Sequence, residues 1–486
     1  MAGLPRPAHL LRPLATIAKG RPPVTHPSTL HIDLDALSAN HRVVSQALAA
    51  DRAAVASDRA GLRHPAGSGV CAVLKADGYS LGAARLAKKL ASLGLDLIAV
   101  YHPDEARELL NTHLGVPVLI FMPVHALARD DRLFHALSRG LIHLSIHDRS
   151  CFDAAADIAD SLGISIPVHI AVDTGMARAG SPPDEAYELI NLVLDHPRLR
   201  LAGLATHFAS ADSSDELTRN QLAAFDDLLG RFVLPPRLSR AGGVESRRVL
   251  PADLRIHAAN SFAFFRTTAA HFTTVRVGIA LLGYAGEEFA DPQNFALRDA
   301  AERLTPILRW SSSIVQIKVL PPGATVGYGS TWRAPDAGAR IGTLPVGYAD
   351  GYPVALSSDA VTGAPRAHVT LTTAAGERVA VPVLGRVSMD QITVDLSRLP
   401  DGAVHRGHAV DVVSNDPTEP NHLPKLARAA GSMTHEMLCR LSARLDRRYV
   451  AGAQRAEPAA STRPATVAVH GPSERPMKRH ENLTAQ

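Results

Sequence analysis

The sequence predicts an α/β fold: a (β/α)8 barrel of the TIM type, followed by a C-terminal, mostly-β domain. Two observations carry this. Short apolar, β-branched runs alternate with helical patterns eight times over about 250 residues, the repeat of such a barrel. From about residue 303 the texture changes to short runs separated by Gly, Pro and Asp turns, which reads as all-β. The length of 486 residues also calls for two or three domains rather than one.

Taken in order, residues 1–28 carry Arg6, Arg12, Lys19 and Arg21 and no acid, and read as a Pro-rich disordered extension. The barrel is assigned to 29–300. Its strands are expected at 70–75, 97–101, 116–122, 141–146, 168–172, 203–207, 255–258 and 274–277. Helices are expected at 84–91, 104–110, 152–162, 183–194 and 220–232, where apolar residues recur at helical spacing. Stretches 51–68 and 235–251 are polar, with Gly, Pro and Arg, and read as insertions. The second domain is assigned to 301–453, with strands at 307–319, 340–345, 367–372, 378–382 and 391–396 and one helix at 425–440. Residues 454–486 read as a disordered tail.

Composition narrows the function. A net charge of +4 is mild and the basic residues are dispersed, so no nucleic-acid stripe is indicated. No run is long and apolar enough to suggest a membrane span. Cys71, Cys151 and Cys439 are far apart, without metal-ligand spacing, so no metal is expected and a cytoplasmic setting fits.

Active sites of such barrels lie at the C-terminal ends of the strands. There Lys75 ends the first strand, Arg178 follows the fifth, and His207 ends the sixth. Asn260 and Ser261 follow the seventh, and Arg276, Gly278 and Ile279 close the eighth. A lysine desolvated beside other cations becomes a usable amine nucleophile. The last two loops, AANSF and VRVGI, suit a phosphate through a hydroxyl and backbone N–H groups. Taken singly, Lys75 reads equally as a surface lysine, His207 as a satisfied core histidine, and Arg178 as a loop cation.

The blocks AVLKADGYSLGA, VDTGMARAG, LATHFASAD, HAANS, VRVGI, VGYGSTW, LPVGYADGYPVAL and GRVSMDQITVDL together resemble the alanine racemase family, in its order, from about residue 30 to about 450. The resemblance implies interconversion of L- and D-alanine for peptidoglycan, with pyridoxal 5'-phosphate as cofactor, in a homodimer with shared sites. It implies Lys75 as the lysine that binds the cofactor as a Schiff base and Tyr328, from the other subunit, as the opposing base. Tyr79, Ser261, Gly278 and Ile279 would hold the phosphate, with Asn260 beside them. Arg276 would face the pyridine nitrogen, His207 would lie against the ring, and Arg178 would sit near the phenolic oxygen. Tyr348 would line the substrate entrance, and Met389 and Asp390 would also come from the partner, Met389 binding the substrate carboxylate through its backbone N–H. A tyrosinate at Tyr328 would need cations nearby, for which Arg276 and His207 offer themselves. A broader-specificity amino-acid racemase and a non-catalytic cofactor carrier are the alternatives.

Four positions depart from the family pattern. Ala171 stands where many members carry a lysine that braces the arginine, so Arg178 must be held otherwise. Asp77 and Leu81 replace the usual Asn and His. His435 replaces a tyrosine that reaches the phosphate, which would make the entrance more polar and admit larger substrates such as serine.

Overall fold

The computed structural model describes residues 28–55, 69–233, 247–284 and 294–452. The expected disordered extension (Ser28 apart), the tail and most of both insertions fall outside these residues.

The chain enters through strand β1 (Thr29–Asp33), then forms β2 (Val70–Val73), β3 (Leu97–Val100), β4 (Val118–Ile120) and β5 (Ile142–Ile146). Next come β6 (Ile166–Ala171), β7 (Leu199–Ala205), β8 (Arg255–His257) and β9 (Val275–Val277). Strands β2 to β9 form one parallel eight-stranded sheet, with β9 returning to pair with β2. The remaining seam, between β8 and β9, is bridged by Arg276 N–H to Ala259 O at 2.9 Å and Thr274 N–H to Ile256 O at 3.1 Å. This is the expected barrel. Strands β2 and β3 are buried at every residue because both faces are covered, which is why they read as unbroken apolar runs. The outer helices are amphipathic: Ala83–Ala91 buries Ala83, Leu86, Ala87 and Leu90, at helical spacing. Several are started by polar caps, such as Asp148 accepting the Cys151 N–H and Ser214 accepting the Leu217 N–H.

The second sheet is built from β10 (Leu308–Ser313), β11 (Gln316–Leu320), β14 (Ala339–Leu344), β15 (His368–Thr372), β16 (Arg378–Leu384), β17 (Ile392–Asp395), β18 (Ala409–Val413) and β19 (Asp446–Val450). A small hairpin, β12 (Thr325–Val326) with β13 (Trp332–Arg333), stands apart from it. Here the pattern alternates, as in β10, which buries Leu308, Trp310 and Ser312 and turns the others outward. Strand β1 lies inside this sheet, antiparallel to β10 and parallel to β19. The chain therefore crosses the second sheet before it starts the barrel.

Two expected elements divide. The run at 307–319 becomes β10 and β11 because the backbone changes partner, Ile314 N–H going to His408 O and Val315 N–H to Thr343 O. The helix at 425–440 becomes Leu423–Ala429 and Thr434–Cys439. Gly431 between them sits at φ +64°, and the Ser432 N–H turns back to Ala427 O, a helix stop of the Schellman kind. The second of these helices and β19 then lie against the end of β2 in the barrel: Ser80 Oγ donates to Cys439 O, Arg447 Nε to Ser80 O, and the Tyr449 hydroxyl to Leu81 O.

Candidate active site

The site starts where β2 ends. Lys75 opens a left-handed turn in which Ala76, Asp77, Gly78, Tyr79 and Ser80 all have φ between 52° and 61°. Non-glycine residues resist this region by roughly 1–2 kcal/mol each, so the turn persists only because its surroundings hold it. The Gly78 N–H bonds Leu74 O, the Gly82 N–H bonds Asp77 O, and the Asp77 carboxylate accepts the Ala83 N–H at 2.8 Å. Leu81 is fully buried beneath. Both residues that depart from the family here thus have structural work: one caps, the other packs.

Lys75 reaches solvent at the mouth of the barrel, yet burial of its surroundings, and then the nearby Arg178 cation, lower its pKa. Arg178 itself is exposed and makes no hydrogen bond or ion pair among the described residues. Its loop is held instead by Asp173, whose carboxylate accepts the N–H groups of Gly175, Met176 and Ala177. That is how the loop manages without a lysine at Ala171.

Arg276, 5 % exposed, points up from β9. It donates to Thr206 O at 2.7 Å, His257 O at 2.5 Å and Ala258 O at 3.3 Å, and to Nδ1 of His257 and His207. Burial lowers its pKa to about 10, so it stays charged at neutral pH. None of these partners is acidic, and its positive charge is available to whatever lies above. Because guanidinium only donates, the partner imidazoles must accept at Nδ1. The His257 Nε2–H then donates to His169 Nδ1 at 2.8 Å, and the His169 Nε2–H donates to His143 Nδ1 at 2.9 Å. His143 faces the backbone of Gly140. All three are neutral, since burial first drives their pKa values down, followed by arginines for His143 and His257 and by the other two histidines for His169. Gly203 makes room for this row: a Cβ there would lie 2.1 Å from the His169 ring.

His207 differs from the expectation. His207 accepts from Arg276 and is pushed down to about 3 by burial, then by Arg276, Arg178 and Lys75. It is a neutral imidazole, so Arg276 and not His207 is the cation on offer to a tyrosinate.

Beside these lies a cradle suited to a phosphate. Ser261 Oγ accepts the N–H groups of Gly278, at 3.1 Å, and Ala280, at 3.3 Å. The Tyr79 hydroxyl sits against Gly278 so closely that a Cβ there would lie 2.2 Å from it. Ile279 continues the same backbone and is buried. Asn260 caps the Ser261–Arg266 helix by accepting the Ala263 N–H, and so fixes Ser261. His435 closes the rim, its ring 5.9 Å from Tyr79 and 6.0 Å from Phe262.

The remaining expected residues form a second group. The Tyr348 N–H bonds Ser388 O and the Ala349 N–H bonds Met389 O, which joins two loops of the second sheet. Tyr328 follows Gly327, where a Cβ would lie 3.2 Å from the Arg386 backbone N of the second of these loops. Asp390 is paired with Arg444, which also holds buried Asp350. Tyr328, Tyr348 and Met389 are exposed by 69, 45 and 53 %. No hydrogen bond or ion pair among the described residues joins them to Lys75, Arg178, His207 or Arg276.

Sequence reasoning missed the row His143, His169 and His257, and missed Glu105. The histidines occupy three strands at positions that read as core, and their alignment exists only once β5, β6 and β8 surround the barrel. Glu105 carried a visible signal, a glutamate three residues after His102 with Pro103 between, but that announces only a helix start.

Comparison with known proteins agrees over both halves. Residues 32–286 match the description "Alanine racemase, N-terminal domain" and residues 307–449 "Alanine racemase, C-terminal domain". The alanine racemase of Desulfovibrio desulfuricans is 33 % identical over 382 residues, 78 % of this chain and 91 % of that protein. That of Cutibacterium acnes is 31 % identical over 427 residues, 87 % and 98 %. Among solved structures, the Streptomyces coelicolor alanine racemase superposes with a TM-score of 0.69 at 26 % identity, covering 88 % of this chain and 98 % of that one. The Bartonella henselae alanine racemase, described with covalently bound pyridoxal phosphate, has a TM-score of 0.66 at 24 % identity, covering 87 % and 100 %. With barrel and second sheet both matched, in tandem and over nearly all the described residues, the chain belongs to the alanine racemase family.

Proposed function

We propose that this chain interconverts L- and D-alanine with pyridoxal 5'-phosphate bound at Lys75, as a homodimer in which the partner completes each site. One observation carries the reading: a lysine of lowered pKa and a buried arginine without an acidic partner share a barrel mouth with the Tyr79–Ser261–Gly278 cradle. That donor set fits the cofactor, an aldehyde for the lysine, an aromatic nitrogen for Arg276 and a phosphate for the cradle.

When bound, the cofactor withdraws electrons and so makes the α-proton of the amino acid removable. The chain's residues do the rest. Lys75 takes or returns that proton at Nζ on one face, helped by a pKa already below that of a free lysine. The Tyr328 phenol from the partner serves the opposite face, and the Met389 N–H holds the carboxylate. Arg276 would face the pyridine nitrogen and, being charged, would disfavour a proton there, limiting electron withdrawal to what racemisation needs. His207, neutral, would lie against the ring. Both exposure of Tyr328 and Met389 and their separation from the lysine's group support a site shared between subunits. Supply of D-alanine for peptidoglycan is the role that fits, in the cytoplasm, where three unpaired cysteines suit reducing conditions.

The test is L-alanine in deuterated water with wild type, Lys75→Ala and Tyr328→Phe. Wild type should lose optical rotation and gain α-deuterium, and each variant should fall by on the order of 10²–10⁴-fold. Absence of racemisation by wild type would sink the assignment. Full activity of Tyr328→Phe would remove Tyr328 as a base while leaving the rest.

A further inference from the structure

The first brace of the turn that carries Lys75 comes from another element. Glu105, on the helix Pro103–Leu110, accepts the Ala76 N–H through Oε1 at 2.5 Å. Its Oε2 accepts the N–H groups of Tyr101, at 2.8 Å, and His102, at 2.9 Å. A helix-capping glutamate needs only the last of these. The bond to Tyr101 fixes the exit of β3, and the bond to Ala76 fixes the residue directly after Lys75. One carboxylate therefore joins two neighbouring strand ends at the lysine.

From this geometry we propose that Glu105 is a positioning residue for Lys75, aiming its amine and holding a negative charge beside it. The groups that face Lys75 are Arg178 from the loop after β6, His207 after β7, and His435 and Cys439 on the helix Thr434–Cys439. His207 and His435 are both held toward their neutral forms by burial. Cys439 is a thiol whose pKa burial raises. Among the described residues Glu105 is thus the one carboxylate acting on this amine, and it opposes Arg178. A group that takes a proton and gives it back works best when neither form is strongly favoured. Burial, and then Arg178, lower the pKa of the amine, and the Glu105 charge offsets part of that while its hydrogen bonds keep the turn aimed.

The inference rests on the proposed cofactor chemistry for its importance but not for its test. In the cofactor-free chain, the pH dependence of Lys75 acetylation, read by mass spectrometry, reports the amine directly. Glu105→Gln should move its midpoint down by about half to one pH unit. On adding pyridoxal 5'-phosphate, the neutral Lys75 amine attacks the aldehyde carbon, C=N forms and water leaves, giving a visible absorbance band. The pH midpoint of that band should move the same way. Turnover should fall roughly ten- to a hundredfold with KM changed less than about threefold, the pattern of lost aim rather than lost substrate binding.

His102→Ala is the control, because His102 Nδ1 caps the same helix at the Asp104 N–H without touching the turn. It should leave both midpoints in place. Glu105→Asp, which keeps the charge but is too short to reach Ala76, should lower turnover with a smaller midpoint shift and serves if the Gln variant folds poorly. Unchanged acetylation midpoints in both Glu105 variants, or the same shift in His102→Ala, would overturn the inference. Failure of wild type to give a visible band would instead strike the cofactor reading and leave the acetylation result standing.

Discussion

The two groups of site residues are built in opposite ways. On the barrel side, Ser261 and Arg276 are tied into the fold by hydrogen bonds, the turn that carries Lys75 and Tyr79 is braced at Ala76, Asp77 and Ser80, and Arg276 alone has five acceptors around it. On the second sheet, Tyr328 and Met389 stand exposed, and no hydrogen bond among the described residues uses the Met389 N–H. Groups that must keep one geometry through catalysis are held by their own chain; groups that meet a partner are left open until it arrives. The proposed shared site explains the contrast, and a site contained within one chain would not.

The strongest way to break this comparison is complementation. Lys75→Ala and Tyr328→Phe chains, each nearly inactive alone, are co-refolded. Random pairing puts half the chains into mixed dimers, in which one site has both native residues and the other has neither, so activity should recover to about a quarter of wild type. No recovery would mean that Lys75 and Tyr328 of one chain serve the same site.

The same contrast governs what the sequence revealed. The barrel was legible because each strand's burial on both faces writes an apolar run and each helix writes its own period, signals local to the element. Lys75 was legible as the end of such a run. The left-handed turn after it was not: Ala76, Asp77, Tyr79 and Ser80 carry no preference for positive φ, and the turn is imposed by Glu105, Arg447 and Tyr449 from distant parts of the chain. Strand β1 was invisible as part of the second sheet for a similar reason, since both of its partners lie at the far end of the chain. The single helix expected at 425–440 failed on one residue, Gly431, whose positive φ a sequence pattern does not announce.

A smaller effect separates the two halves by pH. His169 and His257, enclosed in the barrel, resist protonation because burial comes first and neighbouring charges second; His207 is held down to about 3. Unfolded, each returns to about 6.5. Between those values the unfolded chain binds more protons, so stability falls as pH falls from about 6.5 toward 3 and is complete above that window. Each fully enclosed histidine contributes a slope on the order of 1 kcal/mol per pH unit. His31 and His368 of the second sheet, and His422 at the start of the helix Leu423–Ala429, are lowered too, but are less deeply enclosed. Both tryptophans lie in the C-terminal half, Trp310 in the second sheet and Trp332 in the small hairpin, so fluorescence reports that half, whereas helical circular dichroism reports mostly the barrel. The urea midpoint of the helical signal should therefore drop more between pH 7.5 and pH 5 than that of fluorescence. Identical drops would show the two halves unfolding as one unit.

The smallest effect sharpens the side proposed to face a partner. If Met389 binds the substrate carboxylate through its backbone, its half-exposed side chain is dispensable. Met389→Ala should change stability by less than about 0.5 kcal/mol and KM by less than about threefold. Met389→Pro removes the N–H itself and should raise KM well beyond tenfold; intact pairing of Ala349 with the residue 389 carbonyl, checked by an unchanged melting temperature, separates this from a collapsed loop. Should the alanine variant raise KM as far as the proline one, the side chain does the binding. The unused N–H would then be an accident of an exposed loop rather than half of a site waiting for its other subunit.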